Sequence, residues 1–198
     1  MLSRYLDKPA KHHVRAAVHC LRYLKGTHNL GMVFDGNQKP SQHSLVAYSD
    51  ASWANCLETR KSTTGVLVKF NGNTLSWISK KQATVAKSST KAEYVALSAA
   101  VSEVLWYKMW LKEVLDTEVT PLIYGDNRSS ICLTKHDSSH QRTKHIDIAH
   151  YFIRDYIERK DIAIQWISTK EMQADILTKY VKDNPQFIQL RDKLLSHA

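Results

Sequence analysis

The chain has 198 residues, 43% of them hydrophobic, which suits one folded domain, or one with an extension, and argues against disorder. No apolar run approaches the roughly 20 residues of a membrane span, and three widely spaced cysteines argue against a disulfide framework and favour a reducing, intracellular setting. The formal net charge of +9 favours an anionic partner, of which nucleic acid is the commonest.

The N-terminal part of the sequence predicts a helix followed by a linker. Pro9 opens a run with apolar residues at helical spacing, and Gly26 closes it, as glycine often does just past a helix. A short strand is expected in NLGMVF, and the polar stretch DGNQKPSQHS that follows is typical of a loop. We therefore divide the chain into an N-terminal segment, residues 1–38, and a main domain, residues 39–198.

The first half of the main domain carries strand patterns followed by a long helix. SLVAYSD is an apolar run that ends at Asp50, and TTGVLVKF and TLSWIS are further strands joined by NGN, a strong hairpin signal. After the loop KKQATVAKSS, a helical pattern continues through EYVALSAAVSEVLWYKMWLKEVL.

The second half alternates strands and helices. TPLIYG predicts a short strand, NRSSICLTK a short helix and HIDIAHYFIRDYIERK an amphipathic helix. IAIQWIS predicts another strand, and EMQADILTKY and PQFIQLRDKLL predict two final helices. Since helical crossovers join parallel strands, this order predicts an α/β fold with a mixed sheet.

Two aspartates stand where predicted strands end. Asp50 follows the first strand of the main domain, and Asp126 follows TPLIYG. Because ligands gather beyond the carboxyl ends of parallel strands, the two side chains are candidate neighbours in a site. The structural alternatives are a turn aspartate at position 50 and a helix cap at position 126.

Two further acids lie in predicted helices. Glu93 is in the first turn of the long helix, and Asp175 is in the helix of QADILTK. The structural alternatives are a capping box, with Thr90 as the cap and Glu93 reaching back to it, and a surface acid at position 175 paired with Lys179.

Four segments together resemble the catalytic blocks of the ribonuclease H domain of copia-type LTR retrotransposons: YSDASWA, SSTKAEYVAL, IYGDNRSSI and QADILTK. RKSTTGVLVKFNGNTLSWISKKQ and RTKHIDIAHYFIRD resemble other parts of that domain, and LSRYLDKP with HHVRAAVHCLRYLKGT resembles the connection that follows the reverse-transcriptase thumb. The resemblance implies a ribonuclease H-like fold, a five-stranded mixed sheet with helices on both faces. Residues 1–38 would be the connection, with its helix, and residues 39–198 the ribonuclease H domain with a C-terminal helix.

The resemblance also implies an activity, the hydrolysis of the RNA strand of RNA–DNA hybrids by a metal-dependent endonuclease during reverse transcription. Asp50, Glu93, Asp126 and Asp175 would be its catalytic carboxylates and would hold two Mg²⁺ ions, with Mn²⁺ as a substitute. Two such ions about 4 Å apart make a water nucleophilic and stabilise the leaving oxygen. The alternative is a non-catalytic module, a domesticated or decayed fragment that binds hybrid or supports the polymerase.

The implied partners are an RNA–DNA hybrid and the reverse-transcriptase domain of the same Pol polyprotein, with no membrane. The implied location is the cytoplasm, within a virus-like particle.

Polar and basic side chains near these segments are candidates for contacts with nucleic acid. Ser and Asn side chains would hydrogen-bond to 2′-hydroxyls, and basic side chains would contact phosphates. The candidates are Ser88, Ser89, Asn127, Arg128, Arg142 and Lys144. Trp53 and Trp77 are expected in the core or on a sheet face rather than as stacking platforms.

Histidines raise two separate questions. Many ribonucleases H carry a histidine in the loop before the last catalytic aspartate, but here that loop reads STKEMQ. His145 or His150 would handle the proton from the neighbouring helix, or the role is missing. Cys132, His136, His140 and His145 have a spacing that suggests zinc, but the paired Cys-x2-Cys is absent, so we do not expect a zinc site.

Overall fold

The helical pattern after Pro9 forms α1, Lys11–Gly26. The structure is a computed structural model, and it describes residues 2–34, 36, 44–135 and 144–197. This helix belongs to the first of two units, Met1–Val33 with Leu195–Ala198. In the same unit, strand β1, Leu30–Gly31, pairs antiparallel with the last strand of the chain, β7, Ser196–His197. The second unit is Phe34–Leu194, and the predicted division at residues 38 and 39 stays a prediction.

The second unit contains the strands and helices predicted for the main domain. Its strands are β2 (Leu45–Ser52), β3 (Thr63–Phe70), β4 (Asn73–Lys81), β5 (Leu122–Gly125) and β6 (Ala163–Trp166). Its helices are α2 (Ser89–Leu115), α3 (Arg128–Lys135), α4 (Lys144–Glu158), α5 (Asp175–Thr178) and α6 (Asn184–Asp192).

The five strands form one mixed sheet in the order β4-β3-β2-β5-β6. Strands β2, β3 and β4 are antiparallel neighbours, whereas β5 lies parallel to β2 and β6 lies parallel to β5. The predicted α/β fold with a five-stranded mixed sheet is therefore confirmed.

Alternation along β2 assigns the two faces of the sheet. Leu45 and Ala47 are fully buried and belong to the core cluster that includes Leu97 and Val101 of α2. Asp50 has the opposite parity, pairs with Gly65 of β3, and shares its face with α5. Since successive side chains of a strand point to opposite faces, α2 and α5 lie on opposite sides of the sheet.

The segment after β6 differs most from its prediction. EMQADILTKY was expected to be one helix, but a 3₁₀ turn, Thr169–Glu171, comes first and α5 has only four residues. Met172 between them is extended, with φ −68° and ψ 99°, and is fully buried. Burying this side chain draws the backbone onto the sheet and prevents a continuous helix.

The two tryptophans expected in the core or on a sheet face are both half exposed. Trp77 lies on the edge strand β4 and is 54% exposed. Trp53 lies in the turn after β2, is 50% exposed, and donates its Nε1 hydrogen to the carbonyl of Ala86 at 2.9 Å. Among the described residues, no helix has the length and apolar character needed to cross a membrane.

Candidate metal centre

Three carboxylates converge at one end of the central sheet. Asp50 lies in β2, Asp126 follows β5, and Asp175 begins α5. One carboxylate oxygen from each lies within 4.8 Å of the others. Asp50 and Asp175 are each only 2% exposed, whereas Asp126 is half-buried. This acidic cluster is therefore largely shielded from bulk water.

The register of the parallel strands explains why Asp50 and Asp126 are neighbours. Ser49 pairs with Gly125, so the next residue of each strand lies at the same end of the sheet. The Asp126 carboxylate accepts a 2.8 Å hydrogen bond from Oγ1 of Thr169, which fixes its orientation.

The structural alternative for Asp126, a cap of the helix α3, is wrong. The side chain of Asn127 has this role, because its Oδ1 accepts a 2.9 Å hydrogen bond from the backbone N–H of Ser130. The Asp126 carboxylate is therefore not needed for capping and faces the cluster.

Asp175 reaches the cluster because α5 packs closely against β3. A Cβ placed on Gly65 would lie 2.5 Å from Cγ2 of Thr178 and 3.0 Å from the carbonyl oxygen of Ala174. Only glycine leaves room for this approach. Thr178 in turn donates a short hydrogen bond from Oγ1 to Oδ2 of Asp50, which joins α5 to β2 at the cluster.

Glu93 lies beside the cluster but outside the group that is within 4.8 Å. Its side chain is 9% exposed, and its carboxyl is close enough to Asp50 and Asp126 for their charges to raise its pKa. The capping-box alternative is wrong, because the cap of α2 is Ser88, whose Oγ accepts a hydrogen bond from the N–H of Lys91 at 3.2 Å.

Lys179 adds one positive charge to the cluster. Its Nζ lies 2.8 Å from Oδ1 of Asp175, so the predicted pair exists, but the buried Asp175 is not a surface acid. Burial lowers the pKa of Lys179, while the contact with Asp175 and the charges of Asp50 and Asp126 outweigh this effect and raise the pKa overall. The ammonium group therefore remains charged beside the carboxylates.

Burial is the largest influence on the pKa values of the acids, and their mutual repulsion adds to it. Burial raises the pKa of Glu93 to about 9, helped by the charges of Asp50 and Asp126. It raises the pKa of Asp175 to about 6 despite the contact with Lys179. The pKa of Asp50 is also raised by burial, although Lys179 opposes the change. The single positive charge of Lys179 thus does not offset the repulsion and burial of the acids.

These residues fit a divalent cation such as Mg²⁺. Carboxylate oxygens are its preferred protein ligands, and three separate segments supply them here. Among the described residues, the buried Oδ1 of Asp175 has only the ammonium of Lys179, 2.8 Å away, as a partner. Such an oxygen gains a partner when a cation binds.

The stability of the metal-free protein is expected to fall as pH rises from about 5 to 9. The pKa of Glu93 is about 9 in the folded chain, against an ordinary value of 4.5, so the folded state binds more protons between these values. The stabilising contribution is complete below about 4.5 and is lost as pH rises through 9, with Asp175 acting in the same direction around 6. Thermal melts in EDTA across this range would measure it.

The matched variant for this measurement is Glu93→Gln, which cannot ionise. The melting temperature of the variant should fall less over the same pH range than that of the wild-type protein. Parallel falls in the two proteins would show that other groups cause the pH dependence.

The residues predicted to contact nucleic acid differ in their exposure and in the hydrogen bonds that they make. Ser88 and Asn127 use their side-chain oxygens to cap α2 and α3. Ser89 and Arg128 are exposed at the first positions of these helices. The guanidinium of Arg128 lies 4.2 Å from the ring centroid of Trp166.

Several other predicted residues cannot be compared with a described side chain. Arg142 lies outside the described residues, and Lys144 and His145 are described only as part of the α4 backbone. His136 and His140 also lie outside the described residues. Of the residues with zinc-like spacing, Cys132 is the one whose side chain is described, and it is an exposed free cysteine.

His150 makes contacts between helices. Its Nε2 lies 2.9 Å from the carbonyl oxygen of Leu133 and must donate to it, and its ring stacks near Tyr94, with centroids 6.1 Å apart. These contacts join α4 to α3 and α2, and its role as a proton carrier stays a prediction.

Sequence reasoning did not identify three polar side chains that position the acids. Thr169 and Thr178 donate to Asp126 and Asp50 from 43 and 128 residues away along the chain. Trp166 donates its Nε1 hydrogen to the backbone carbonyl of Asp126 at 2.9 Å. No local pattern marks such contacts, although all three residues lie in or beside segments that flank a predicted acid.

Solved structures with a similar fold include ribonucleases H. LC11-RNase H1, isolated from compost by a metagenomic approach, matches with a TM-score of 0.52 and 17% identity, over 70% of this chain and 94% of that chain. Its complex with an RNA/DNA hybrid matches with a TM-score of 0.50 over 68% and 93% of the two chains. The strand order and the helix packing therefore define the ribonuclease H fold.

Sequence comparison finds relatives among the Pol polyproteins of plant transposons. The Pol polyprotein of transposon TNT 1-94 from Nicotiana tabacum is 40% identical over 184 residues, 93% of this chain and 14% of that protein. That of transposon RE1 from Arabidopsis thaliana is 38% identical over 180 residues, 90% of this chain and 12% of that protein. The homologues of the chain are therefore copia-type retrotransposon Pol polyproteins, and the chain spans about one-seventh of the length of these relatives.

A shorter relative also exists. The secreted RxLR effector protein 161 of Plasmopara viticola is 46% identical over 106 residues, 54% of this chain and 72% of that protein. No protein-family model matches the chain.

Proposed function

We propose that the chain is a metal-dependent endonuclease that hydrolyses the RNA strand of RNA–DNA hybrids during reverse transcription. The observation that carries this proposal is the convergence of carboxylate oxygens from Asp50, Asp126 and Asp175 within 4.8 Å. Support comes from the ribonuclease H fold, from a structural neighbour solved in complex with an RNA/DNA hybrid, and from relatives that are Pol polyproteins.

Asp50, Asp126 and Asp175 would hold two Mg²⁺ ions, or Mn²⁺ in their place, with Glu93 as the fourth carboxylate. When bound, the ions supply a nucleophilic water and stabilise the charge that develops on the leaving oxygen. The contribution of the chain is to hold its carboxylates in place before the metal arrives. Asp50 does so from a rigid strand, which positions a ligand more precisely than a loop does.

Hydroxyl donors complete this preorganisation. Thr178 and Thr169 each donate to one carboxylate oxygen, and these contacts hold Asp50 and Asp126 in place for cations. Lys179 partly neutralises the charge of the acids, which reduces the repulsion among them before metal binds. The partners we propose are the hybrid and the reverse-transcriptase domain of the same polyprotein.

Cleavage of a hybrid whose RNA strand carries a 5′ label tests the proposal directly. We expect RNA fragments with Mg²⁺ or Mn²⁺ and none with EDTA, whereas single-stranded RNA and duplex DNA should stay intact. A protein that binds hybrid but never cuts it with either metal would instead be the non-catalytic, hybrid-binding module.

A further inference from the structure

We propose that Trp166 is a positioning residue that holds the guanidinium of Arg128 beside the acidic cluster. In this position the guanidinium contacts a backbone phosphate of the bound nucleic-acid strand. This inference rests on the proposed function, because it assumes that a hybrid strand reaches the carboxylates. It adds a contact on which strand binding near the cluster depends.

Trp166 is attached to the cluster through the backbone. It ends β6 and pairs with Gly125, the residue before Asp126. Its indole Nε1 donates a 2.9 Å hydrogen bond to the Asp126 carbonyl, yet the side chain is 45% exposed. A ring held by a hydrogen bond at one edge and open to solvent elsewhere has a defined orientation and an accessible surface.

Arg128 lies against this ring. Its guanidinium carbon is 4.2 Å from the ring centroid, within the distance of a cation–π contact. Contact with the ring restricts the side chain while leaving N–H groups at the guanidinium edge free to donate. The indole therefore restricts a long, flexible side chain that would otherwise lose entropy on binding a ligand.

The charge of Arg128 is not explained by helix stability. It is the first residue of α3, where the helix dipole disfavours a positive charge. Within the described parts of the chain, no ion pair joins Arg128 to a carboxylate, even though Asp126 is only two residues away. An exposed cation restricted by stacking is suited to an anion from outside the protein.

The position of Arg128 next to the acidic cluster indicates which kind of anion it binds. The ionised acids of the cluster repel a polyanionic strand until cations bind, so approach of the backbone needs positive side chains at the margin of the site. Arginine binds phosphate oxygens bidentately, and such contacts fix the register of the strand without reading its sequence. A backbone phosphate near the bond to be cut meets both conditions.

Hybrid binding by the full chain, measured by fluorescence anisotropy in EDTA and in Ca²⁺, tests this inference without relying on cleavage. We expect Arg128→Ala to weaken binding roughly tenfold and to reduce the slope of log K against log salt by about one. Trp166→Leu should weaken binding by about threefold, the size of an exposed cation–π contact. Trp166→Phe keeps a ring face and should bind more tightly than Trp166→Leu.

The double variant separates positioning from two independent contacts. If Trp166 acts through Arg128, the double variant should bind no more weakly than Arg128→Ala alone. Additive losses, or an unchanged salt slope in Arg128→Ala, would overturn the inference. Trp106→Leu and Arg159→Ala are matched controls, because a half-exposed tryptophan on α2 and an exposed arginine just after α4 should leave binding unchanged.

The same measurements distinguish this inference from the proposed function. A wild-type protein that cuts hybrid while Arg128→Ala keeps its full salt slope would overturn only the inference. A wild-type protein that binds hybrid with the expected variant effects but never cuts it would overturn only the catalytic function. A wild-type protein that neither binds nor cuts hybrid would overturn both.

Discussion

Replacing Asp50 or Asp126 by asparagine is expected to reduce hybrid cleavage by at least about 1000-fold while the protein stays folded and still binds hybrid. Asparagine keeps the shape of the side chain and one acceptor oxygen, so the hydrogen bonds from Thr178 and Thr169 can persist. The lost charge removes an anionic ligand of the metal ions, and with it water activation and leaving-group stabilisation. A cleavage time course and a thermal melt on the same samples measure both effects.

The melt separates a catalytic role from a structural one. Burial raises the pKa of Asp50, which means that its charged form destabilises the metal-free fold. In EDTA at neutral pH, Asp50→Asn should therefore melt at or above the wild-type temperature. A purely structural acid would give the reverse, a loss of about 1 kcal/mol with normal cleavage. Asp155→Asn, which changes a surface ion pair with Arg159, is the matched control and should alter neither property.

The proximity of Asp50 and Asp126 was predictable because it follows from the direction and order of the strands, which local sequence patterns indicate. Each apolar run of known direction leads to an aspartate, and adjacent parallel strands bring the corresponding ends together, although β2 continues two residues past Asp50 to Ser52. The register between Ser49 and Gly125 then gives the expected contact. Such placement needs no knowledge of side-chain packing.

The helix caps were predicted one or two positions away from their actual sites. Ser88 and Asn127 cap α2 and α3, whereas Thr90 and Asp126 were the sequence candidates. Both stretches contain adjacent residues that can all cap, and local preference barely separates them. The choice depends on which following residues must be buried, and Glu93, in the second turn of α2, is one of these. Tertiary packing therefore decides the exact boundary.

The surroundings of Asp175 were the least predictable part of the site. Helical periodicity in EMQADILTKY suggested a continuous helix. The sequence of that segment alone does not indicate which surface it packs against, so the interruption of the helix could not be predicted. The structure has a single turn of helix there, placed by contacts with Gly65 on a strand more than 100 residues earlier. The role of Trp166 was missed for the same reason, since its bond to Asp126 joins residues 40 positions apart.

Gly65→Ala is expected to lower cleavage roughly 100-fold and to destabilise the fold by about 1–3 kcal/mol, although position 65 carries no functional group. The added methyl would lie 2.5 Å from Thr178 Cγ2, 3.0 Å from the Ala174 carbonyl and 3.2 Å from Leu177 Cβ. A threonine methyl can turn away, but a backbone carbonyl moves only with its segment. Helix α5 must therefore shift from the sheet and carry Asp175 away from Asp50. Cleavage rate, hybrid affinity and melting temperature should be measured together, and affinity should change least.

Two further variants show whether the close approach of α5 is the cause. Gly26→Ala is the matched control, because no atom lies within 4 Å of its added Cβ and alanine favours a helix more than glycine does. It should melt and cut like the wild-type protein. Adding Thr178→Ser to Gly65→Ala removes the nearest methyl but keeps the hydroxyl that binds Asp50, so part of the lost cleavage should return. Normal cleavage by Gly65→Ala would mean that the site tolerates displacement of α5. Loss of cleavage without any rescue by Thr178→Ser would place the conflict at the Ala174 carbonyl, where only movement of the backbone can relieve it.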